Sequence, residues 1–211
     1  MPFFTVIIPL YNKENFIENT LKSVLNQRFT NFEVIIVNDG STDNSEEKVR
    51  EFNDNRIKYF YQINQGVSVA RNLGISMANS NSITFIDADD YWFPEFLQEM
   101  FNNINQFQEQ KVFSAATEVE TSISKFSSQY SIEKSKDCQV LNYFDASINT
   151  TIICTSCAVF HKSVFEKVGN FDTNIKIGED TDLWIRIGLV YPVVFKNKIL
   201  ARYVFDEKSL S

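Results

Sequence analysis

The sequence predicts an α/β fold in which helices flank a mainly parallel sheet. Over residues 1–108, short β-branched apolar runs alternate with segments of helical period, which is typical of βαβ units. The run at 33–37 is almost continuously apolar, as expected of a strand covered on both faces. The length of 211 residues suits one domain. We therefore expect a single unit over 1–211, with a regular part at 1–108 and a small mixed part at 109–211.

The elements of the regular part follow in order from their periodicity. Strands are predicted at 5–9, 33–37, 57–61 and 82–86. Helices are predicted after each strand, at 17–25, 46–52, 66–78 and 94–107. In the first helix, Ile17, Leu21 and Val24 recur at i, i+4 and i+7, so they share one apolar face.

The alternation weakens after residue 108. The predicted elements there are a strand at 111–119, a short helix at 141–147, a strand at 152–160, helices at 163–168 and 179–189, and one or two strands at 193–205. The Ser-rich segment at 120–137 has no clear period, and we interpret it as a loop or lid.

Composition excludes several classes of function. The net charge of −7 and the absence of a basic stripe argue against a nucleic-acid partner. No segment has the roughly 18 uncharged apolar residues that span a bilayer. The first apolar run meets Pro9 early and is interpreted as a strand, not as a signal peptide. We expect a cytoplasmic protein, with peripheral contact at the inner face of a membrane left open.

Cysteine and histidine are scarce. The three cysteines, Cys138, Cys154 and Cys157, are an odd number and cannot close a disulfide framework. Cys154 and Cys157 have the spacing of a redox pair, but they lie in an apolar run, so we interpret them as buried structural thiols. A zinc site would need more ligands than the one histidine, His161, supplies, and we expect that histidine to be structural.

Polar residues follow three of the predicted parallel strands. Tyr11 follows the first strand, Asp39 the second and Asp89 the fourth. Ligands of open α/β sheets bind outside the carboxyl ends of the strands, so we expect these side chains to share one crevice. The alternatives are that Asp39 serves only its turn, and that Arg71 in the third helix lies on a solvated face instead of meeting a base or phosphate.

The acidic run at 87–90 is the sharpest single signal. Asp87, Asp89 and Asp90 repel one another unless a cation lies among them. Mg²⁺ and Mn²⁺ prefer oxygen ligands and are often held by one or two carboxylates together with substrate phosphates. The run therefore predicts a divalent metal site, with a solvated turn before the next helix as the alternative.

A second acidic cluster opens the helix predicted at 179–189. Asp180 and Trp184 are four residues apart and share a face near its N-terminus. A carboxylate beside an apolar wall is a candidate general base for a hydroxyl substrate. Helix capping by Glu179, Asp180 and Asp182 is the alternative.

Five motifs together resemble a known family. They are TVIIPLYN at 5–12, VNDGSTD at 37–43, ARNLG at 70–74, FIDADDYW at 85–92 and GEDTDLW at 178–184. In this order they are similar to the family-2 glycosyltransferases with the GT-A fold, which has a Rossmann-like sheet. The resemblance implies an inverting transferase that moves one sugar from a nucleotide-diphosphate donor, usually a UDP-sugar, to a hydroxyl of a saccharide or lipid-linked saccharide. It implies Mn²⁺ or Mg²⁺ as cofactor, with 1–108 binding the nucleotide and 109–211 the acceptor.

The resemblance also implies a role for each matching residue. Asp39 would bind uracil and Tyr11 would stack on it. Asp87 would contact the ribose, Asp89 would hold the metal, and Asp180 would be the catalytic base. The other positions expected to face the substrates are Pro9, Arg71, Ala88, Glu179 and Trp184.

Two departures from the family pattern are visible. Many relatives bind the metal through a histidine after the base motif, but no histidine follows His161 here, so diphosphate and water complete the shell or a ligand lies beyond Ser211. The Gln-x-x-Arg-Trp motif of processive synthases is absent, which favours single addition. The resemblance itself implies transfer of a hexose or N-acetylhexosamine in surface polysaccharide or glycoconjugate assembly. The rival functions are a sugar nucleotidyltransferase, which should have a Gly-rich loop where 9–14 has none, and a non-catalytic nucleotide-sugar-binding module.

Overall fold

The computed structural model describes residues 1–205 of the chain. Within that range the strands are β1 (Phe4–Leu10), β2 (Phe32–Asp39), β3 (Ile57–Gln62), β4 (Ser82–Phe85), β5 (Tyr91–Trp92), β6 (Val112–Glu120), β7 (Lys125–Ser127), β8 (Cys138–Leu141), β9 (Ala158–His161) and β10 (Val193–Val204). The helices are α1 (Ile17–Leu25), α2 (Ser45–Arg50), α3 (Val67–Met77), α4 (Phe96–Gln106), α5 (Tyr143–Ala146), α6 (Ser163–Val168) and α7 (Glu179–Gly188).

The strands form one sheet in the order β3-β2-β1-β4-β9-β6-β10-β5, with β7 beside β6 and β8 beside β10. Strands β3, β2, β1 and β4 are parallel. Strand β9 is antiparallel to both of its neighbours, and β6 and β10 are parallel to each other. The predicted fold class is therefore confirmed, and the loops after β1, β2 and β4 leave the sheet at the same edge.

Helices cover both faces of this sheet. Strands β1 and β2 are buried along their whole length. The apolar stripes of α1 and α4 pack on one face, and those of α3, α6 and α7 pack on the other. Helix α3 lies very close to β1, because a Cβ atom on Gly74 would stand 2.4 Å from the Ile7 side chain. This close packing fixes the height at which Arg71, one turn earlier, meets the edge of the sheet.

The interpretation of 120–137 as a loop or lid is wrong for part of the segment. Strand β7 lies inside it and pairs antiparallel with β6. The backbone N–H of Thr121 donates to the Ser124 carbonyl over 2.8 Å and closes the hairpin. Three residues are too few to show a period of two, so the strand left no readable pattern in the sequence.

The strand predicted at 152–160 is also shorter than expected. Only Ala158–His161 pairs with neighbouring strands, and a 3₁₀ turn at Thr155–Cys157 precedes it. Ile152 and Ile153 are fully buried without belonging to a strand. An apolar run in the sequence indicates that its residues are buried, but buried residues need not form a paired strand.

Strands β5 and β8 were not predicted, and both pair antiparallel with β10. Strand β10 itself is one strand, with an irregular register against β6 between Lys196 and Ala201. The remaining predicted helices and strands are present, with ends shifted by a few residues. None of the helices within residues 1–205 is long and apolar enough to cross a membrane.

Candidate active site

A cavity of about 640 Å³ opens at the carboxyl ends of β1, β2 and β4. Its walls include seven of the predicted site residues: Pro9, Tyr11, Asp39, Arg71, Asp87, Ala88 and Asp89. The crevice expected from the strand order is therefore present, while the roles of these residues stay predictions.

The loops after β1 and β2 are bonded to each other. The backbone N–H of Asn12 donates to the Ser41 hydroxyl over 3.1 Å, and the Asn12 amide oxygen accepts from the Thr42 N–H over 2.8 Å. Asn12 has a φ of +50°, a conformation that asparagine tolerates better than most residues. The Glu14 N–H donates to Asp43 over 3.0 Å. One wall of the cavity is thus a single cross-linked unit.

Asp39 lines the cavity and is only 3% exposed. It accepts hydrogen bonds from the Gln62 side chain at 2.6 Å, the Gln65 N–H at 2.9 Å and the Gly66 N–H at 2.8 Å. A carboxylate has about four acceptor positions, so one remains for a ligand. Tyr11, nearby on the wall, is 45% exposed and offers a free ring face.

Arg71 does not lie on a solvated face. It is buried and forms 2.8 Å ion pairs with Asp87 and Glu179. Its guanidinium also lies 5.1 Å from the centre of the Phe171 ring. Burial opposes the charge, but the two carboxylates raise the pKa of Arg71 above its ordinary value. The residue therefore connects the acidic loop after β4 to the first turn of α7.

Lys13, which was not among the predicted site residues, contacts the predicted metal ligand. Its Nζ lies 2.6 Å from Asp89 Oδ2, and the side chains are 21% and 15% exposed. Burial raises the pKa of the Asp89 carboxyl, the hydrogen bond from Lys13 opposes this, and the charge of Asp87 adds to it. A lysine in the loop directly after β1 is the signal that would have indicated a cation at this end of the sheet.

Asp90 fastens the acidic loop to the C-terminal part of the sheet. Its carboxylate accepts hydrogen bonds from the Val204 N–H at 2.9 Å and from the Ser156 hydroxyl. The Asp87 N–H donates to the same Ser156 oxygen over 3.1 Å, and the Thr20 hydroxyl donates to the Asp90 carbonyl over 2.8 Å. Burial and the nearby Asp87 charge raise the pKa of Asp90 well above its usual range.

The donor atoms around Asp89 fit a hard divalent cation only in part. Residues 1–205 contain no group of three His, Cys, Asp or Glu side chains placed to hold a metal. Asp87 and Asp89 offer carboxylate oxygens, and the Lys13 ammonium already marks a position of positive charge beside Asp89. Mg²⁺ is commonly held by one or two carboxylates with waters and substrate phosphates, so these two carboxylates would supply part of the shell and a diphosphate would have to complete it.

The three predicted residues on α7 lie outside the cavity wall. The helix begins after Gly178, whose φ of +81° suits glycine. Asp180 is partly exposed and accepts from the Thr181 N–H over 2.6 Å. Trp184 is 1% exposed and stacks on Phe160 with ring centres 5.1 Å apart. The apolar stripe of α7 thus carries the indole into the core, and a contact of Trp184 with substrate stays a prediction.

Tyr203 on β10 lines the cavity and was missed from the sequence. Burial raises the pKa of its phenol, and the charges of Asp90, Asp89, Asp87 and Asp180 raise it further. The phenol therefore stays protonated, close to both the acidic loop and the first turn of α7. Its position depends on the pairing of β10 with β6, which local periodicity does not reveal.

Comparison with known proteins identifies the family. The model of Glycosyl transferase family 2 matches residues 5–169, so the chain belongs to this family. An uncharacterized glycosyltransferase of Rickettsia bellii is 36% identical over 188 residues, which are 87% of this chain and 26% of that protein. Glycosyltransferase GlyA of Streptococcus pneumoniae is 42% identical over 106 residues, 49% of this chain and 15% of that protein.

Solved structures show the same fold. The crystal structure of S. aureus TarS 1-349 in complex with UDP-GlcNAc superposes with a TM-score of 0.84 at 22% identity, covering 97% of this chain and 59% of that one. TarS 1-349 in complex with UDP gives a TM-score of 0.82 at 22% identity, covering 97% of this chain and 61% of that one. The chain therefore has the GT-A fold, and it spans less than two thirds of the length of each of these relatives.

Proposed function

We propose that the chain is an inverting glycosyltransferase that transfers one sugar from a UDP-sugar to an acceptor hydroxyl. The observation that supports this most is the single cavity that joins the Asp39 carboxylate to the acidic loop at Asp87 and Asp89. In this cavity Asp39 provides a hydrogen-bond acceptor for a nucleobase, and Asp87 and Asp89 provide anionic oxygen ligands for a cation. The solved complexes of TarS with UDP and UDP-GlcNAc support a donor of this class.

The part at 1–108 binds the nucleotide in this proposal. The acceptor position left on Asp39 takes the N–H of uracil, and the Tyr11 ring stacks on the base. Asp87, held in place by Arg71, accepts a hydrogen bond from a ribose hydroxyl. Pro9 and Ala88 close the cavity around the nucleoside.

Asp180 acts as the general base. It removes the proton of the acceptor hydroxyl, and the oxygen attacks the anomeric carbon from the face opposite the diphosphate. The bond from that carbon to the diphosphate oxygen breaks, which inverts the configuration. Asp89 would hold Mn²⁺ or Mg²⁺, which supplies charge neutralisation for the leaving diphosphate. Glu179 holds Arg71, and through it the ribose-binding carboxylate.

The finer assignments follow the family pattern. The part at 109–211 binds a saccharide or lipid-linked saccharide, and one hexose or N-acetylhexosamine is added per encounter. The setting is surface polysaccharide or glycoconjugate assembly at the cytoplasmic face of a membrane. The alternative from another reaction class is a sugar nucleotidyltransferase. The loop at 9–14, however, lacks the glycines that would cradle a triphosphate.

Thermal unfolding with nucleotides tests the donor site. The midpoint is measured with UDP, GDP and ADP, each with Mn²⁺ and with chelator. We expect UDP with Mn²⁺ to stabilise the fold by about 2.7 kcal/mol at ~100-fold excess over its Kd. The chelator should remove most of this shift, and GDP and ADP should give less. No shift with any nucleotide, or equal shifts with all three, would contradict the proposal.

A further inference from the structure

Lys13 occupies an unusual place in the donor cavity. Its backbone N–H donates to the buried Ser45 hydroxyl over 2.8 Å, which fixes the residue in the cross-linked loop after β1. Its ammonium lies 2.6 Å from the Asp89 carboxylate and 5.8 Å from the centre of the Phe16 ring. The side chain is therefore held at the acidic loop from the opposite wall of the cavity.

Of the two cationic side chains that residues 1–205 place on the cavity wall, Lys13 is the one that can change its partner. Arg71, the other cation on this wall, is buried and already bridges Asp87 and Glu179. In the part of the chain that the structure describes, the Lys13 ammonium has one carboxylate partner, and that partner is Asp89. An ammonium carries three donors, so this contact leaves donors available for a further acceptor.

We infer that Lys13 binds the diphosphate of the donor and that it leaves Asp89 when donor and cation enter. The inference rests on the proposed function. The ammonium lies 2.6 Å from Asp89 Oδ2, so a divalent cation bound to Asp89 would share one carboxylate with it, and the two positive charges would compete for that carboxylate. The diphosphate brings anionic oxygens to the same place. An ammonium released from Asp89 then gains a charge-assisted hydrogen bond to phosphate.

The exchange predicts that Lys13 has opposite effects on two binding events, that of the cation alone and that of the diphosphate with the cation. Without nucleotide, Lys13 opposes the cation, because it holds the carboxylate that the cation needs. With diphosphate present, Lys13 and the cation act together on the leaving group. A residue that served only to shape the loop would weaken both binding events when it is changed.

The test compares the wild type with Lys13→Met and Lys13→Arg, using calorimetry for UDP and for inorganic pyrophosphate at saturating Mn²⁺, and spin resonance for Mn²⁺ alone. Lys48→Met, which removes a lysine on the outer face of α2, is the matched control. We expect Lys13→Met to bind Mn²⁺ alone several-fold more tightly, yet to bind UDP about 10-fold or more weakly with Mn²⁺ present. Pyrophosphate should weaken by a similar factor, and Lys13→Arg should recover most of the UDP affinity.

The outcomes separate this inference from the proposed function. Wild-type protein that binds UDP, with Lys13→Met binding it equally well, overturns only the role of Lys13. The same holds if Lys13→Met weakens UDP but leaves pyrophosphate unchanged, because the contact would then be to the nucleoside, and if Mn²⁺ alone and UDP weaken together. A wild type that binds no UDP overturns the proposed function and this inference with it.

Discussion

The two ends of the parallel sheet carry buried carboxylates in opposite surroundings. At the amino end of β2, Glu33 accepts hydrogen bonds from the Thr5 hydroxyl at 2.7 Å, from the Asn79 N–H at 2.8 Å, from the Asn79 side chain at 2.9 Å and from Lys58 at 2.7 Å. Burial alone would raise its pKa, but these bonds lower it below the ordinary value. The carboxylate at this end is saturated with protein donors.

At the carboxyl end the balance is reversed. Burial and mutual repulsion raise the pKa values of Asp89 and Asp90, despite the hydrogen bonds that they accept. The fold therefore stabilises the charged form of Glu33 and disfavours the charged forms of Asp89 and Asp90. We interpret the amino end as a structural network, and we propose that the carboxyl end binds a ligand that brings positive charge of its own.

The largest effect is expected from Asp180→Asn, which removes the proposed base without changing its shape. Turnover should fall by about 10²–10⁴-fold, the usual contribution of a positioned general base. The UDP-dependent rise of the thermal midpoint should stay as in the wild type, because the residue lies outside the donor cavity wall. Turnover close to that of the wild type would remove Asp180 from the mechanism.

The next largest effect is expected from Asp89→Asn, which tests whether the carboxyl end of the sheet binds the cation and the donor. Turnover should fall by about 10²–10³-fold, as for the loss of one group that stabilises developing charge. The Mn²⁺-dependent part of the UDP shift should disappear. The free energy of unfolding should not decrease, because burial and Asp87 already disfavour the charge at this position. A clear loss of stability would instead make Asp89 a structural residue like Glu33.

The sequence predicted the carboxyl end better than the rest of the molecule, for a physical reason. Tyr11, Asp39 and Asp89 each follow a strand whose pattern is visible locally, and parallel strands bring their carboxyl ends together. Tyr203 enters through the long-range pairing of β10 with β6, and the short strands β5 and β8 exist only through long-range pairing with β10. The local periodicity of the sequence indicates neither the position of Tyr203 nor the presence of these short strands.

Side-chain reach was the other limit. The contact of Lys13 with Asp89 joins loops that follow two different strands, and only coordinates show that the ammonium spans the gap. The burial of Trp184 was hidden for a similar reason. Its spacing from Asp180 was compatible with a shared face, but the indole fills the core against Phe160 and Phe171.

Glu33→Gln tests the amino end and should affect stability alone. The variant keeps the shape but loses the charge that four donor groups surround, so we expect the free energy of unfolding to fall by about 1–3 kcal/mol in urea titrations at neutral pH. Turnover per folded molecule should not change. Lys58→Met is the control, and it should cost less than about 1 kcal/mol because the lysine side chain is 46% exposed. Lost turnover in correctly folded Glu33→Gln would break the division between the two ends.

The smallest effect is a pH dependence that belongs to Glu33. Its pKa is lower in the folded state than the ordinary value of 4.5, so the folded state binds fewer protons than the unfolded state as the pH falls through that range. The stabilisation is therefore fully present above pH 4.5 and is lost progressively below it, as the folded-state pKa is approached. Urea titrations of wild type and Glu33→Gln across this range should show two stability curves that are separated at neutral pH and converge in acid. Curves that stay parallel down to the acid limit would mean that the Glu33 network is held by shape and not by charge.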